Sequence, residues 1–175
     1  AEPDRVLVGI PLGGAGSGLV LPTVLGGGCL IVPARYDADA LLDALVTRRA
    51  TRLFTTPSLL IDLLDHPDID RADLTSLRHL IYGTELMPAA KLEEALARFG
   101  TILQQGYGSA EVLPPVSLLS PRDHWQPGGP AGGVQTASRT VLLSAGRVVF
   151  GAVGDGERLE FTAEAGPGDF IYVPP

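Results

Sequence analysis

Basic residues and long apolar runs are scarce in this 175-residue chain. Lysine and arginine together number 13 against 20 aspartates and glutamates, which gives a formal net charge of -7 and an isoelectric point near 4.8. Nucleic-acid surfaces need clustered basic side chains, and the basic residues here are scattered, so we expect no nucleic-acid partner. Glycine and proline interrupt each apolar run before it reaches membrane-spanning length, so no membrane partner is expected either.

Cysteine is present only once, as Cys29, which excludes an internal disulfide framework and is typical of a reducing compartment. Its apolar neighbours predict a buried thiol without a catalytic role. With no leader pattern at the N-terminus, these features predict a cytoplasmic protein. The chain begins without methionine and ends on Pro174 and Pro175, directly after a strand-like run, and on this ground we expect a fragment.

The larger part of the chain alternates strand-like and helix-like segments. Its apolar content of 45% with only 19% charged residues is enough to bury a core. Asp37 or Asp39 can cap one helix, and Pro57 is suited to the first turn of the next. The pattern predicts an α/β fold, a parallel sheet layered with helices. Strands are predicted at residues 6–11, 30–32, 52–55, 80–82 and 102–104, and helices after Asp37, at 57–64 and at 88–99.

From Pro114 onward the composition of the chain changes. Prolines, and a run of glycine and proline at residues 127–133, interrupt both helices and strands. Short apolar segments separated by glycine turns then predict an antiparallel all-β meander. The domain prediction is an α/β domain over residues 1–126, a linker over 127–139 and a β segment over 140–175.

Residues 104–111 combine two glycines, a tyrosine and a carboxylate where a predicted strand ends. Glycines allow close approach of the backbone to a ligand, Tyr107 offers a flat face for stacking, and Glu111 can hold a metal ion. The combination suits a nucleotide, although an ordinary strand-to-loop turn has the same composition.

Three segments in order resemble the adenylate-forming enzymes, the family of acyl-CoA synthetases, aryl-CoA ligases and peptide adenylation domains. Residues 51–60 are similar to its buried strand and helix beside the acyl pocket, and residues 73–88 to its element whose glycine turn lines the adenine. Residues 106–111 resemble its Y-G-x-T-E motif. The likeness covers roughly residues 4–133 and implies a partial domain of such an enzyme.

The resemblance implies ATP or AMP, Mg²⁺ and a small carboxylic acid as ligands. It implies an enzyme that activates the acid with ATP to an acyl adenylate and then a thioester. Glu111 would be the catalytic and magnesium-binding residue. The residues expected to contact the nucleotide are Gly83, Thr84, Glu85, Gly106, Tyr107, Gly108 and Ser109.

Several departures from the family pattern predict impaired chemistry. Ala110 stands where the family has a phosphate-contacting threonine, which removes a hydroxyl donor. Gly14 stands where a histidine would lie near the acyl pocket. The family's lysine-bearing phosphate loop, ribose-binding aspartate and catalytic lysine have no counterpart here. Because adenylation depends on positioned cations, we expect weak nucleotide binding and little turnover.

The tail over residues 140–175 resembles part of a cupin barrel, with residues 166–174 similar to its G-D-x-x-x-x-P turn. The stretch before it contains none of the histidines with which cupins bind metal, so no transition metal is expected.

Other interpretations remain open. A non-catalytic module that self-associates through exposed sheet edges is one alternative, and a degenerate cupin-type small-molecule binder is another. The glycines at residues 13–18 fit a dinucleotide loop poorly, because Leu19 replaces a small residue and Pro22 should interrupt the following helix. His66, His79 and His124 lack an acid or nucleophile at motif spacing, which favours structural roles.

Overall fold

The computed structural model describes residues 2–109, 112–121, 124–126, 129–130, 139–142, 148–153, 159–165 and 170–173. Up to residue 109, strands and helices alternate as the sequence predicts. A 3₁₀ turn, Ala15–Leu19, leads directly into the first helix. The strands are β1 (Arg5–Gly9), β2 (Cys29–Ile31), β3 (Arg52–Thr55), β4 (His79–Gly83), β5 (Leu103–Ser109) and β6 (Val112–Leu119). The helices are α1 (Val20–Leu25), α2 (Ala38–Thr47), α3 (Pro57–Leu64) and α4 (Ala89–Phe99).

These six strands form one sheet in the order β2-β1-β3-β4-β5-β6. The first five run parallel, and β6 pairs antiparallel with β5. The predicted α/β class with a parallel sheet is therefore confirmed. In the described part of the chain, no helix combines the length and the apolarity that crossing a membrane requires.

One face of the sheet carries the core. The strand register aligns Leu7, Leu53, Leu80 and Leu103 in a row across four strands, and none of the four is more than 1% exposed. Helices α2, α3 and α4 cover this face with apolar side chains at helical spacing. The innermost helical leucines are Leu41, Leu45, Leu60, Leu63 and Leu92.

Local sequence explains where these helices begin. The Asp37 carboxylate accepts a hydrogen bond from the backbone N–H of Ala40 at 2.8 Å, which decides between the two predicted caps of α2. The Thr56 hydroxyl caps α3 in the same way, through Leu59 N–H, and Pro57 occupies the first helical position as predicted.

Helix α1 lies on the opposite face of the sheet. The chain moves from β1 to β2 in one direction and from β2 to β3 in the other, and right-handed crossovers of opposite direction place their helices on opposite faces. None of the six residues of α1 is buried. The expectation that Pro22 would interrupt a helix here is wrong, because Pro22 lies in the first turn, where its missing N–H would have no intrahelical acceptor.

Cys29 is exposed, so the predicted burial of its thiol is wrong. The physical reason is position in the sheet. Strand β2 lies at the edge, next to β1 only, and all three of its residues keep some contact with solvent. An apolar segment of sequence does not reveal whether its strand will be central or peripheral.

Strand β5 continues through Gly106, Tyr107 and Gly108 to Ser109, whereas the sequence predicted a turn after residue 104. Its partner β6 contains Pro114 and Pro115, which were expected to mark a boundary. The pairing slips between Tyr107↔Ser117 and Ser109↔Val112, so the prolines lie where the ladder is irregular. β6 is also an edge strand, and edges and bulges are the places in a sheet where proline is tolerated.

The described strands of the tail form antiparallel pairs, but their connectivity is not a meander. β7 (Trp125–Gln126), just before the predicted linker, pairs with β8 (Gly129–Pro130) inside it. β9 (Arg139–Leu142) pairs with β12 (Phe170–Val173), enclosing the hairpin of β10 (Val148–Val153) and β11 (Leu159–Ala165). A meander would pair β9 with β10. The cupin resemblance stays a prediction.

Candidate functional site

Two glycines from separate motifs meet at the carboxyl ends of neighbouring strands. The register of β4 and β5 places Gly83 beside Gly106. A Cβ atom added to Gly83 would lie 2.3 Å from the Gly106 carbonyl oxygen, so the two backbones approach more closely than any side chain permits. Ligands of open parallel sheets bind outside these strand ends. The structure thus brings together glycines that are 23 positions apart in the sequence.

The turn after Gly83 is strained and anchored. Thr84 has a φ of 76°, a left-handed value that is unusual for a β-branched residue. The Glu85 carboxylate accepts hydrogen bonds from the backbone N–H of Ser58 at 3.2 Å and from its hydroxyl at 2.5 Å. Ser58 lies in the first turn of α3, where a negative charge is favourable. Glu85 therefore fixes the turn to α3 with the carboxylate that was expected to face a nucleotide.

The remaining predicted site residues follow Gly106 along β5. Tyr107 is half-buried and Gly108 is exposed, while Ser109 ends the strand. Ala110 and Glu111 lie outside the described residues, so the predicted catalytic and metal-binding position stays a prediction. Within the described ranges, His, Cys, Asp and Glu form no group of three or more that could hold a metal ion.

A buried tyrosine–histidine pair lies next to this site, and sequence reasoning did not connect its members. The Tyr82 hydroxyl is 3.1 Å from Nε2 of His124, and Nδ1 of His124 is 2.8 Å from the Ser120 carbonyl oxygen. A carbonyl only accepts, so Nδ1 carries the proton and Nε2 accepts from Tyr82 in the neutral ring. Burial raises the pKa of Tyr82 above its ordinary value. The pair joins Ser120 and His124 to the strand that ends at Gly83.

His66 also has a structural role, as predicted, whereas the structural role of His79 stays a prediction. His66 Nε2 contacts the Asp39 carboxylate at 2.8 Å, while its Nδ1 accepts from Asp68 N–H. Burial lowers the pKa of His79, and the neighbouring Arg52 charge lowers it further.

A cleft of about 290 Å³ opens between α1 and the face of the sheet opposite the core. Apolar side chains form most of its wall, and Arg52 and Asp4 lie at the amino-terminal ends of the strands. No sequence motif marked this cleft, because its residues come from four segments that meet only through the strand register.

Asp4 holds a small charged cluster at that end of the cleft. Its carboxylate accepts from Arg52 Nε at 2.7 Å, from an Arg78 terminal nitrogen at 3.0 Å and from the Thr51 hydroxyl at 3.1 Å. Burial alone would raise the pKa of Asp4, but the hydrogen bonds from Arg52 and Thr51, with the two arginine charges, outweigh it and lower the pKa below its usual value near 3.8.

The Asp4 cluster should make stability fall at acidic pH. Because the folded-state pKa lies below 3.8, the ionised carboxylate stabilises the fold above that value, and this contribution is lost as the pH falls through the folded pKa. Asp4→Asn should cost about 1 kcal/mol of unfolding free energy near neutrality. Urea unfolding between roughly pH 6 and pH 3 should then show a shallower decline for the variant. Parallel curves for the two proteins would contradict this role.

The profile of the AMP-binding enzyme family matches residues 2–156, which includes the predicted linker and the start of the β segment. The chain is 39% identical over 120 residues to the medium/long-chain-fatty-acid–CoA ligase FadD8 of Mycobacterium tuberculosis. It is also 39% identical over 121 residues to a feruloyl-CoA synthase of an Amycolatopsis species. These matches cover 69% and 68% of the chain but only 21% and 24% of the relatives.

Solved structures agree with this relationship. The amide bond synthetase McbA of Marinactinospora thermotolerans superposes with a TM-score of 0.68 at 34% identity, over 78% of this chain and 26% of that one. A benzoate CoA ligase of Burkholderia xenovorans gives a TM-score of 0.61 at 28% identity, and the match covers 81% of this chain and 29% of the ligase. With the family profile spanning most of its length, the chain belongs to the AMP-binding enzymes.

Proposed function

We propose that this chain forms the adenine- and acyl-binding part of an AMP-forming carboxylic acid ligase. The observation that carries the proposal is the meeting of Gly83 with Gly106 at the carboxyl ends of β4 and β5, directly before Tyr107. Relatives of this chain include a medium/long-chain-fatty-acid–CoA ligase, a feruloyl-CoA synthase and an indoleacetate–CoA ligase. The chain spans between a fifth and a quarter of the length of the fatty-acid–CoA ligase and the feruloyl-CoA synthase, so the activity of the whole protein is part of the proposal.

The described residues fit an adenine ring in shape. Gly83 and Gly106 leave the backbone at the strand ends without side chains, so a planar ring has room to approach. Tyr107 follows one residue later on the opposite side of β5, where its aromatic face can stack on a base bound beyond the strand ends. Glu85 holds the intervening turn against α3, so this surface is preformed before ligand arrives. ATP would supply the activated phosphate to which the acid's carboxylate becomes joined, with pyrophosphate leaving. Glu111 is proposed to hold Mg²⁺.

Replacing Tyr107 with alanine should weaken AMP binding roughly tenfold or more, because stacking of a base on an aromatic side chain contributes about 1–3 kcal/mol. Titration calorimetry of the chain with AMP measures the effect. Tyr36→Ala is the matched control, since Tyr36 is 40% exposed and follows β2, which forms the edge of the sheet opposite β6. Its affinity should equal that of the unsubstituted chain.

Equal affinities of the Tyr107 and Tyr36 variants would overturn the stacking role. Absence of AMP binding, together with a dimer in sedimentation, would favour the alternative of an association module. The exposed apolar residues Leu21, Val24 and Leu25 of α1 are the observation that supports that alternative. The expected impairment at the phosphates stays a prediction, and ATP–pyrophosphate exchange with a panel of acids measures it.

A further inference from the structure

The cleft beneath α1 has the size and lining of a site for an apolar chain. Side chains of Val6, Leu19, Pro22, Phe54 and Ile81 face it, and its volume is about 290 Å³. A dry apolar cavity of about 150 Å³ accommodates benzene, so this cleft has room for roughly ten carbon atoms. An aliphatic chain is the ligand class that such a wall favours, because each buried methylene contributes about 0.8 kcal/mol.

The cleft lies on the same face of the sheet as the two glycines of the proposed nucleotide site. Side chains alternate along a strand, so Gly83 belongs to the same face as Ile81, and the register places Gly106 beside Gly83. From His79 to Gly83 the strand extends by about 13 Å, at about 3.3 Å per residue. Neither glycine places a side chain on that face of the sheet.

The far end of the cleft is charged, which a simple alkyl chain does not require. Arg52 lines this end and donates from Nε to Asp4, while Arg78 and Thr51 take up the other carboxylate oxygen. Among the contacts of the described residues, those of Arg52 involve Nε and leave its two terminal nitrogens for a ligand. Two arginines against one aspartate also leave this end with a formal charge of +1.

We propose that the cleft binds a carboxylic acid of about ten carbons that carries a second carboxylate at its distal end, held by the guanidinium of Arg52. The reacting carboxylate would lie toward the carboxyl ends of the strands, beside the bound nucleotide. This assignment rests on the proposed function, because it names the substrate class of the same acid-activating site. A monocarboxylic acid would place a methyl group against the charged cluster and forgo the hydrogen bonds that Arg52 offers.

Calorimetric titration of the chain with decanedioate and with decanoate, in the absence of nucleotide, tests the proposal. Decanedioate should bind about tenfold more tightly, as expected for a charge-assisted hydrogen bond at a partly exposed position. Arg52→Met should abolish this difference. If the Arg52→Met variant does not fold, Arg52→Gln can be used instead, because glutamine can still donate a hydrogen bond to Asp4. It should lose the preference for decanedioate in the same way. ω-Hydroxydecanoate should bind with intermediate affinity.

Arg78→Met is the matched control, because Arg78 contacts the same carboxylate without lining the cleft. It should keep most of the preference for decanedioate. Equal binding of the two acids, binding of neither, or equal losses in the Arg78 and Arg52 variants would each overturn the proposal. The AMP titration is independent of these measurements, so loss of nucleotide binding alone would refute the proposed function and leave the acid preference standing as an observation.

Discussion

Gly83→Ala should lower the free energy of unfolding by about 3 kcal/mol, the upper end of what overpacking costs. The added Cβ would lie 2.3 Å from the Gly106 carbonyl oxygen, and the obstructing atom is backbone rather than a side chain that could rotate away. Relief therefore requires β4 and β5 to separate at the strand ends where the nucleotide is proposed to bind. The affinity for AMP should therefore fall together with the free energy of unfolding.

The matched control is Gly13→Ala, because a Cβ at Gly13 meets nothing within 4 Å. That substitution should leave the unfolding midpoint unchanged or raise it slightly by restricting the unfolded chain. Urea unfolding of the two variants measures the difference. If both variants unfold at the same denaturant concentration, the close contact of the two glycines has no energetic importance.

Tyr82→Ala should destabilise the chain by about 4 kcal/mol, as other large-to-small aromatic substitutions in a core do. Tyr82 is 1% exposed and is the largest of the fully buried side chains in the described core. Its ring fills space beneath the helices, and its hydroxyl bonds His124. The substitution should also release His124 from β4.

Tyr82→Phe separates these two contributions. It keeps the ring and removes the hydroxyl, so we expect a loss of about 1 kcal/mol, typical of one hydrogen bond. Tyr36→Ala, at a tyrosine that is 40% exposed, should change stability by less than about 0.5 kcal/mol. Thermal unfolding by calorimetry compares all three. A phenylalanine variant as unstable as the alanine variant would show that the hydrogen bond, not the ring, dominates.

The parallel sheet could be predicted because its strands and helices are encoded locally. Asp37 and Thr56 cap helices through bonds spanning three residues, and the leucines of α2 and α3 repeat at helical spacing. Such patterns need no knowledge of the rest of the chain. The alternation of strands and helices along the chain then predicts a parallel sheet.

Features that depend on position within the sheet could not be predicted. The thiol of Cys29 is exposed because β2 is an edge strand, and Pro114 is accepted because β6 is another. Whether a strand lies at the edge or in the centre of a sheet depends on strand order, which a single sequence does not reveal. The pairing of β9 with β12 is likewise decided by contacts across about thirty intervening residues.

Some features of the candidate site could likewise be predicted from the sequence, and others could not. The motifs at residues 83–85 and 106–109 could be recognised because each is contiguous, and the register then brought Gly83 to Gly106. The engagement of Glu85 with Ser58 could not be foreseen, since 27 positions separate the two residues. The same holds for Tyr82 with His124, at 42 positions.

The two walls of the cleft differ in how firmly they are held. The floor consists of strands whose reverse side is fixed by three helices, so it cannot yield without disturbing the core. The roof is α1, a six-residue helix with no buried residue, bounded by Gly26 and followed by Gly27 at a φ of 72°. Small displacements of α1 therefore cost little free energy. The width of the cleft can adapt to the girth of a bound chain, whereas its length is fixed by the strands.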